Sequence, residues 1–321
     1  MKLNLLGIFL ALSFSAPTLA QAEAYPDKPI KMLVGFSAGG STDLVTRVLT
    51  QHMSQTLGQS VVVENRLGAS GIVATDALAN ARPDGYTLGA CSTSAFTILP
   101  YLMKTVRYDP VKDFQPVAQI GLAPYILVVS PKLKIKSLQE LVALAKRKDG
   151  GLTYASGGVG SASQMAGELF FASAGIKMVH VPYKGLSQAI ADVMEGRVDM
   201  AFDQEASAGA NIRAGRLDAI AIASADRSAT LPSVPTFSEA GTPLEAAQWI
   251  GVCSPAGLPQ DRVSTLYDSV KRALDDPAVV ERFRQIGVQP ALLNADAFKQ
   301  AIEVDRAKWK KLIDDAGITL E

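Results

Sequence analysis

Apolar positions along this chain switch repeatedly between a period of two and a period near 3.6. The run Ile30-Lys31-Met32-Leu33-Val34 reads as a strand. Leu44, Val45, Val48, Leu49, Met53 and Leu57 then recur at helical spacing, with Gly58 as a stop. Val61-Val62-Val63 is a short strand, 72–81 suits a helix, Pro83-Asp84-Gly85 is a turn, and Tyr86 to Ala90 is the next strand. Tyr125 to Ser130 reads as another strand, and Ser137-Leu138-Gln139-Glu140 opens a helix with a capping box. The alternation resumes with a strand at Leu152 to Ala155 and a helix over 162–174. A strand near Met178-Val179-His180 and a helix over 186–195 follow, then strands at Val198 to Phe202, Leu217 to Ala223 and around Trp249-Ile250-Gly251-Val252. The segments 263–274 and 297–313 are amphipathic helices. This order predicts an α/β architecture with mainly parallel sheets flanked by helices.

One pattern occurs twice. After Val34 comes Gly35-Phe36-Ser37-Ala38-Gly39-Gly40-Ser41-Thr42, and after Ala155 comes Ser156-Gly157-Gly158-Val159-Gly160-Ser161, each leading into a helix. A strand, a loop poor in side chains and a helix start present bare N–H groups beside a positive dipole end, which is an anion-binding arrangement. Two copies predict two lobes gripping a small anion. Chain crossings near Leu122-Ala123-Pro124 and Ala247-Gln248-Trp249 divide the chain into 25–123 plus 249–321 for the first lobe and 124–248 for the second.

Ahead of these lobes, Lys2, the apolar stretch Leu5 to Phe14 and Thr18-Leu19-Ala20 read as a cleavable signal peptide over 1–24, cut after Ala20 or Ala24. The apolar core is too short to span a bilayer, and no later stretch is apolar for long enough, so the expected mature protein is exported and does not span the membrane. The 31 Lys+Arg balance 31 Asp+Glu without basic runs, which argues against nucleic acid. A hydrophobic content of 48% with 19% charged residues is that of a globular protein. Cys91 and Cys253 stand far apart in alanine- and serine-rich strands and read as buried free thiols, although export permits a disulfide. Without a C-x-x-C or Cys/His pairing, neither a metal nor another cofactor is expected.

The segment Gly35-Phe36-Ser37-Ala38-Gly39 also matches the G-x-S-x-G elbow of serine hydrolases. A nucleophilic Ser37 needs a base, and the chain offers only His52, on the helix that follows, and His180, in mid-chain rather than after an acid. Asp43, in a first helical turn, reads as a dipole partner. Lys184 is either a turn lysine or a charge at the cleft, Asp203 either a cap or a partner for a ligand amine or hydroxyl, and Trp249 hinge packing. No arginine clamp is required: hydrogen bonds to a charged group contribute about 1.5–3 kcal/mol each, so three or four approach the ~8 kcal/mol of micromolar binding.

The chain resembles the extracytoplasmic solute receptors of tripartite tricarboxylate transporters, the Bug receptors. The resemblance is carried by Tyr25-Pro26-Asp27-Lys28-Pro29-Ile30, Phe36-Ser37-Ala38-Gly39-Gly40, Val63-Glu64-Asn65-Arg66, Pro83-Asp84-Gly85-Tyr86-Thr87-Leu88 and Tyr108-Asp109-Pro110. Further along, Ala166-Gly167-Glu168-Leu169-Phe170, Val181-Pro182-Tyr183-Lys184-Gly185, Leu231-Pro232-Ser233-Val234-Pro235-Thr236 and Pro255-Ala256-Gly257 complete it. It implies a two-lobed, type II-like periplasmic binding fold that closes on a small carboxylate and hands it to membrane transporter subunits, as a monomer and not as an enzyme. A ligand-sensing module for a signalling partner is the other non-enzymatic reading. Carried over residue by residue, the resemblance points to Phe36, Ser37, Ala38, Gly39, Ser41, Ser156, Gly160 and Ser161 for the ligand carboxylate. Asp203 falls to the rest of the ligand, and Ser92-Thr93-Ser94 forms a third loop facing the cleft. The chain departs from the family in having Phe96 and Gln164 where histidine is frequent, Ser70-Gly71-Ile72, and Gln204-Glu205 after Asp203. Phe96, Gln164 and Asp203 are therefore expected to choose among ligands, Phe96 hinting at an apolar ligand end.

Overall fold

A computed structural model describes residues 25–148, 151–316 and 318. The leader and both of its cleavage positions lie outside these residues. No helix among the described residues is long and apolar enough to cross a membrane.

Ten strands form one continuous hydrogen-bonded system: β1 (Ile30–Val34), β2 (Val61–Asn65), β3 (Thr87–Ser92), β4 (Phe114–Val129), β5 (Thr153–Ser156), β6 (Val179–Pro182), β7 (Met200–Gln204), β8 (Asp218–Ile222), β9 (Ala247–Pro255) and β10 (Gln289–Leu293). The order is β2-β1-β3-β9-β4-β7-β5-β6, with β8 and β10 also pairing β4. At each end lies a parallel set, β2-β1-β3 and β6-β5-β7. Between them β9 and β4 run antiparallel to each other and to their neighbours. Strand β4 changes partners in mid-course: Phe114 to Pro124 pair with β9, and Tyr125 to Val129 pair with β7.

Helices cover both faces because each carries an apolar stripe. The helix Ser41–Leu57 buries Val45, Leu49 and Met53 and ends at Gly58 with φ 68°, a left-handed cap that glycine adopts without a Cβ penalty. The helix Ala162–Ala174 starts where the Ser161 hydroxyl accepts from Gln164 N, and it buries Met165, Ala166, Phe170 and Phe171. The last helix, Ala295–Ala316, serves both halves. Phe298 and Ile302 enter the core around Trp249 and Phe114, while Trp309 and Ile313 enter the core around Tyr154 and Phe202.

The main departures from the sequence reading occur where prolines and glycines interrupt a strand. Strand β4 begins at Phe114 rather than Tyr125, because the ladder absorbs Pro116 and Gly121 at register shifts between Pro116 and Ala118 and between Gln119 and Gly121. Strand β10, the helix Glu205–Arg213 and the helix Pro277–Gln285 add to the expected elements. The free-thiol expectation is corrected. Cys91 on β3 and Cys253 on β9 are brought to a Cα separation of 6.1 Å by the β3–β9 ladder and are joined as a disulfide.

Gly251 on β9 lies beneath Phe298. A Cβ there would drive into the Phe298 ring and stand 2.9 Å from the carbonyl oxygen of Ala118. Gly251→Ala is therefore expected to cost about 1–3 kcal/mol in urea denaturation while leaving the far-ultraviolet spectrum unchanged.

Candidate functional site

Two loops at the carboxyl ends of parallel strands face one another. The first leaves β1 and runs through Gly35 to Gly40 into the helix Ser41–Leu57. Asp43, almost fully buried, organises it. Its Oδ2 accepts from Gly39 N at 3.0 Å and Arg47 Nε at 2.9 Å, and its Oδ1 accepts from Asn65 Nδ2 at 2.8 Å. Asn65 Nδ2 also donates to the Phe36 carbonyl at 3.0 Å. Burial raises the Asp43 pKa, but the hydrogen bonds from Arg47, Asn65 and Gly39 outweigh it and hold the carboxyl below the usual range.

The second loop leaves β5 and is equally self-contained. Gly157 N donates to Ser163 Oγ at 2.9 Å, Gly158 N to Ser156 Oγ at 3.1 Å and Gly160 N to Gln164 Oε1 at 2.7 Å. Ser156 Oγ also lies 2.6 Å from His180 Nε2, and the imidazole stacks on Tyr154 with ring centroids 4.8 Å apart. Burial pushes His180 down to about 4, so the ring is neutral at physiological pH.

The loops meet across a cleft. Ser37 Oγ is 3.0 Å from Ser187 Oγ, Ser70 Oγ donates to the Val159 carbonyl at 2.7 Å, and Ala162 N donates to Ser94 Oγ at 2.9 Å. Between them lies a small, partly open cavity of about 40 Å³. Phe36, Ser37, Gly40, Ser41, Thr42 and Ser94 line one side, and Gly157, Ser161, Ser163, Gly185, Leu186, Asp203, Gln204 and Ser207 the other. Tyr125 and Gln248 complete the wall. The Tyr125 hydroxyl donates to Gln248 Oε1 at 3.1 Å, and Gln248 Nε2 donates to Thr42 Oγ1 at 2.7 Å. No lysine, arginine or histidine lines this cavity among the described residues.

Two buried oxygens in the wall lack a hydrogen-bond partner, Ser41 Oγ and Asp203 Oδ2. Such groups are costly to leave unpaired. Asp203 Oδ1 accepts from Gln204 N at 2.7 Å and Ser207 Oγ at 2.5 Å. Burial nevertheless pushes its carboxyl up to about 7.

Of the residues singled out from sequence, Phe36, Ser37, Ser41, Ser94, Ser161 and Asp203 come together on the wall. Ala38, Gly39, Ser92, Thr93, Ser156 and Gly160 do not line it. Gly39 N and Gly160 N are occupied by Asp43 and Gln164, and Ser156 Oγ is engaged with His180 and the Gly158 backbone. Ser92 sits in the β3 ladder, and Thr93 Oγ1 accepts from Trp249 N at 3.0 Å. Two of the three expected selectivity residues also lie elsewhere. Phe96 is buried among Phe114 and Trp249, and Gln164 is spent on Gly160. Asp43 serves the loop as well as the helix end. Trp249 is packing, its Nε1 donating to Asp305 Oδ2 at 2.8 Å. The wall residues Tyr125, Gln248, Ser163 and Ser207 escape sequence reading, although a glutamine inside the apolar run at Trp249 is a signal that could have found one of them.

Ser37 has no base. His52 faces Asp276 at 3.6 Å on the outer surface of its helix, and His180 is committed to Ser156. The elbow chemistry therefore lacks its general base.

A family model described as the tripartite tricarboxylate transporter family receptor matches residues 45–318. Protein BugT of Bordetella pertussis is 37% identical over 99% of this chain and 98% of its own length. A structure of an R. palustris protein with adipate superposes with a TM-score of 0.89 at 31% identity, covering 92% of this chain and 99% of that one. MatC from Rhodopseudomonas palustris with bound malate gives 0.85 at 31% identity, covering 90% of this chain and 100% of that one. The chain belongs to the tripartite tricarboxylate transporter receptor family, whose members are solute-binding receptors and not enzymes, and it has their periplasmic binding protein fold.

Asp43→Ala leaves Gly39 N, Arg47 and Asn65 without their shared acceptor and is expected to cost about 2 kcal/mol in urea denaturation at neutral pH. Because the folded pKa is depressed, that contribution is present above the ordinary aspartate value and is lost as pH falls toward the folded one. The gap to the wild type should accordingly narrow below about pH 4.

Proposed function

We propose that this receptor captures a small carboxylate between its lobes outside the cytoplasm and delivers it, as a monomer, to the membrane subunits of a tripartite transporter. The observation that carries the reading is the small cleft cavity walled by hydroxyls and two helix starts, two of whose lining residues, Ser41 and Asp203, each carry a buried, unpaired oxygen. Adipate and malate in two related structures support a carboxylate as the class of ligand.

The first-turn N–H groups of the helix Ser41–Leu57, with Ser41 Oγ beside them, take one end of the anion, and Ser94 and Ser161 flank it. Asp203 meets the rest of the ligand. The glycine amides that the loop pattern first suggests, those of Gly39 and Gly160, instead hold the loops in shape. The lobes are 25–123 with 249–321 and 124–248, and they hinge where β4 exchanges partners at Pro124 and where the chain re-enters β9. The leader over 1–24 directs export and is removed.

A thermal-shift panel of dicarboxylates, tricarboxylates, amino acids and aromatic acids should contain at least one carboxylate that raises the melting temperature. A panel in which no carboxylate does so, at pH 5.5 or at pH 8, would reject the reading. Ser41→Ala should weaken that binding about tenfold, the effect of losing one hydrogen bond to a charged group.

Closure has its own test. A Cβ at Gly185 would collide with Ser37 Oγ across the cleft, and φ there is 154°. Gly185→Ala should therefore hold the lobes apart. Calorimetry should show affinity at least tenfold weaker, and small-angle scattering with ligand should give a larger radius of gyration than that of the liganded wild type.

A further inference from the structure

We propose that the cleft takes up its anion together with one proton, held on Asp203 Oδ2 and donated from there to a ligand oxygen. This rests on the carboxylate-receptor reading and specifies how the same site meets the ligand's charge.

The argument begins with what surrounds Asp203. The residue is fully buried and lines the cavity, its Oδ1 is saturated by Gln204 N and Ser207 Oγ, and its Oδ2 has no partner. Every other ionisable group on the neighbouring elements is neutral or already paired. Tyr125, on the adjacent strand, is a phenol held neutral by burial, and its hydroxyl is donated to Gln248. Glu205, on the helix that follows, turns away to Ser228, Thr230 and Arg213. Asp43, behind the first loop, is paired with Arg47. His180 is beneath the second loop with Ser156.

The cavity thus holds one acid and no cation. A ligand carboxylate enclosed beside an ionised Asp203 would put two negative charges in a desolvated space, where like charges force one group to take a proton. The ligand end is bathed in hydroxyl and N–H donors, whereas Asp203 Oδ2 has none, so the proton goes to Asp203. It comes from bulk solvent and returns there on release. Protonation also removes the mismatch at Oδ2, since an O–H there becomes the donor that a ligand oxygen needs. Burial, against the lowering effect of the hydrogen bonds from Ser207 and Gln204, already brings the carboxyl up to about 7, so the uptake is within reach at neutral pH.

Adipate and malate, or another dicarboxylate from the thermal-shift panel whose carboxyls titrate well below pH 6, are essentially ionised between pH 6.5 and 8.5, so the pH dependence of their affinity reports on the protein. Affinity should fall about tenfold from pH 6.5 to 8.5, and calorimetry in buffers of different ionisation enthalpy should show net proton uptake approaching one per ligand at the upper end. Asp203→Asn, whose amide N–H donates at every pH, should bind with a flat profile. If that variant fails to fold, the wild-type proton count decides alone. A flat wild-type profile with no proton uptake would overturn the proposal, as would affinity that rises with pH, the sign of an ionised Asp203 accepting from a ligand ammonium or hydroxyl. In either case carboxylate binding itself, and with it the receptor reading, would stand.

Discussion

The antiparallel pairing of β4 with β9 is the constraint on which the rest of this molecule depends. These two strands lie between the two parallel sets, and β4 continues from one set into the other at Pro124 and Tyr125. The Cys91–Cys253 bond fastens β9 to the edge of the first set. Residues at the point where β4 changes partners also line the cleft. Tyr125 and Gln248, the first β4 residue beyond the β9 pairing and the second residue of β9, link their side chains and pass the connection to Thr42 at the start of the first-loop helix. The strand exchange and the cleft wall are therefore built from the same short stretch of backbone.

That stretch explains what sequence reading could and could not see. The parallel sets were legible because Ile30 to Val34, Val61 to Val63 and Val198 to Phe202 are uninterrupted apolar runs bounded by turn residues, the pattern of strands buried on both faces. The first half of β4 was not, because Pro116, Gly121 and Pro124 punctuate it and only an irregular ladder accommodates them. The doubled glycine loop pointed to the region where the structure has its cleft cavity. Which groups face the cleft was hidden, because that depends on which amides the loops consume internally. Asp43 and Gln164 lie a few residues downstream on the helices and take up Gly39 N and Gly160 N, and nothing in the spacing distinguishes such an internal acceptor from a solvent-facing side chain. Phe96 misled for a related reason: an aromatic beside a serine-rich loop reads the same whether its ring turns to the cleft or to Phe114 and Trp249.

This internal bonding gives the loops their use. A side-chain-poor loop is flexible on its own, and ordering it at the moment of binding would cost entropy. With Asp43 gathering Gly39, Arg47 and Asn65, and with Ser156, Ser163 and Gln164 holding the second loop, that cost is met during folding. On the proposed reading, the helix starts then meet the ligand already oriented, through groups that do not have to move.

The same economy shapes closure. The contacts across the cleft, Ser37 with Ser187, Ser70 with the Val159 carbonyl and Ser94 with Ala162 N, are neutral hydrogen bonds, each worth about 1 kcal/mol net. The helix Ala295–Ala316 is packed into the cores on both sides, so its apolar contacts offset little of the cost of opening or closing unless the helix itself shifts. A receptor that must surrender its cargo cannot be locked shut by its own surfaces. With weak hydroxyl contacts at the rim and unpaired oxygens inside, the proposed closure would draw most of its free energy from the ligand, and an empty cleft would be free to open.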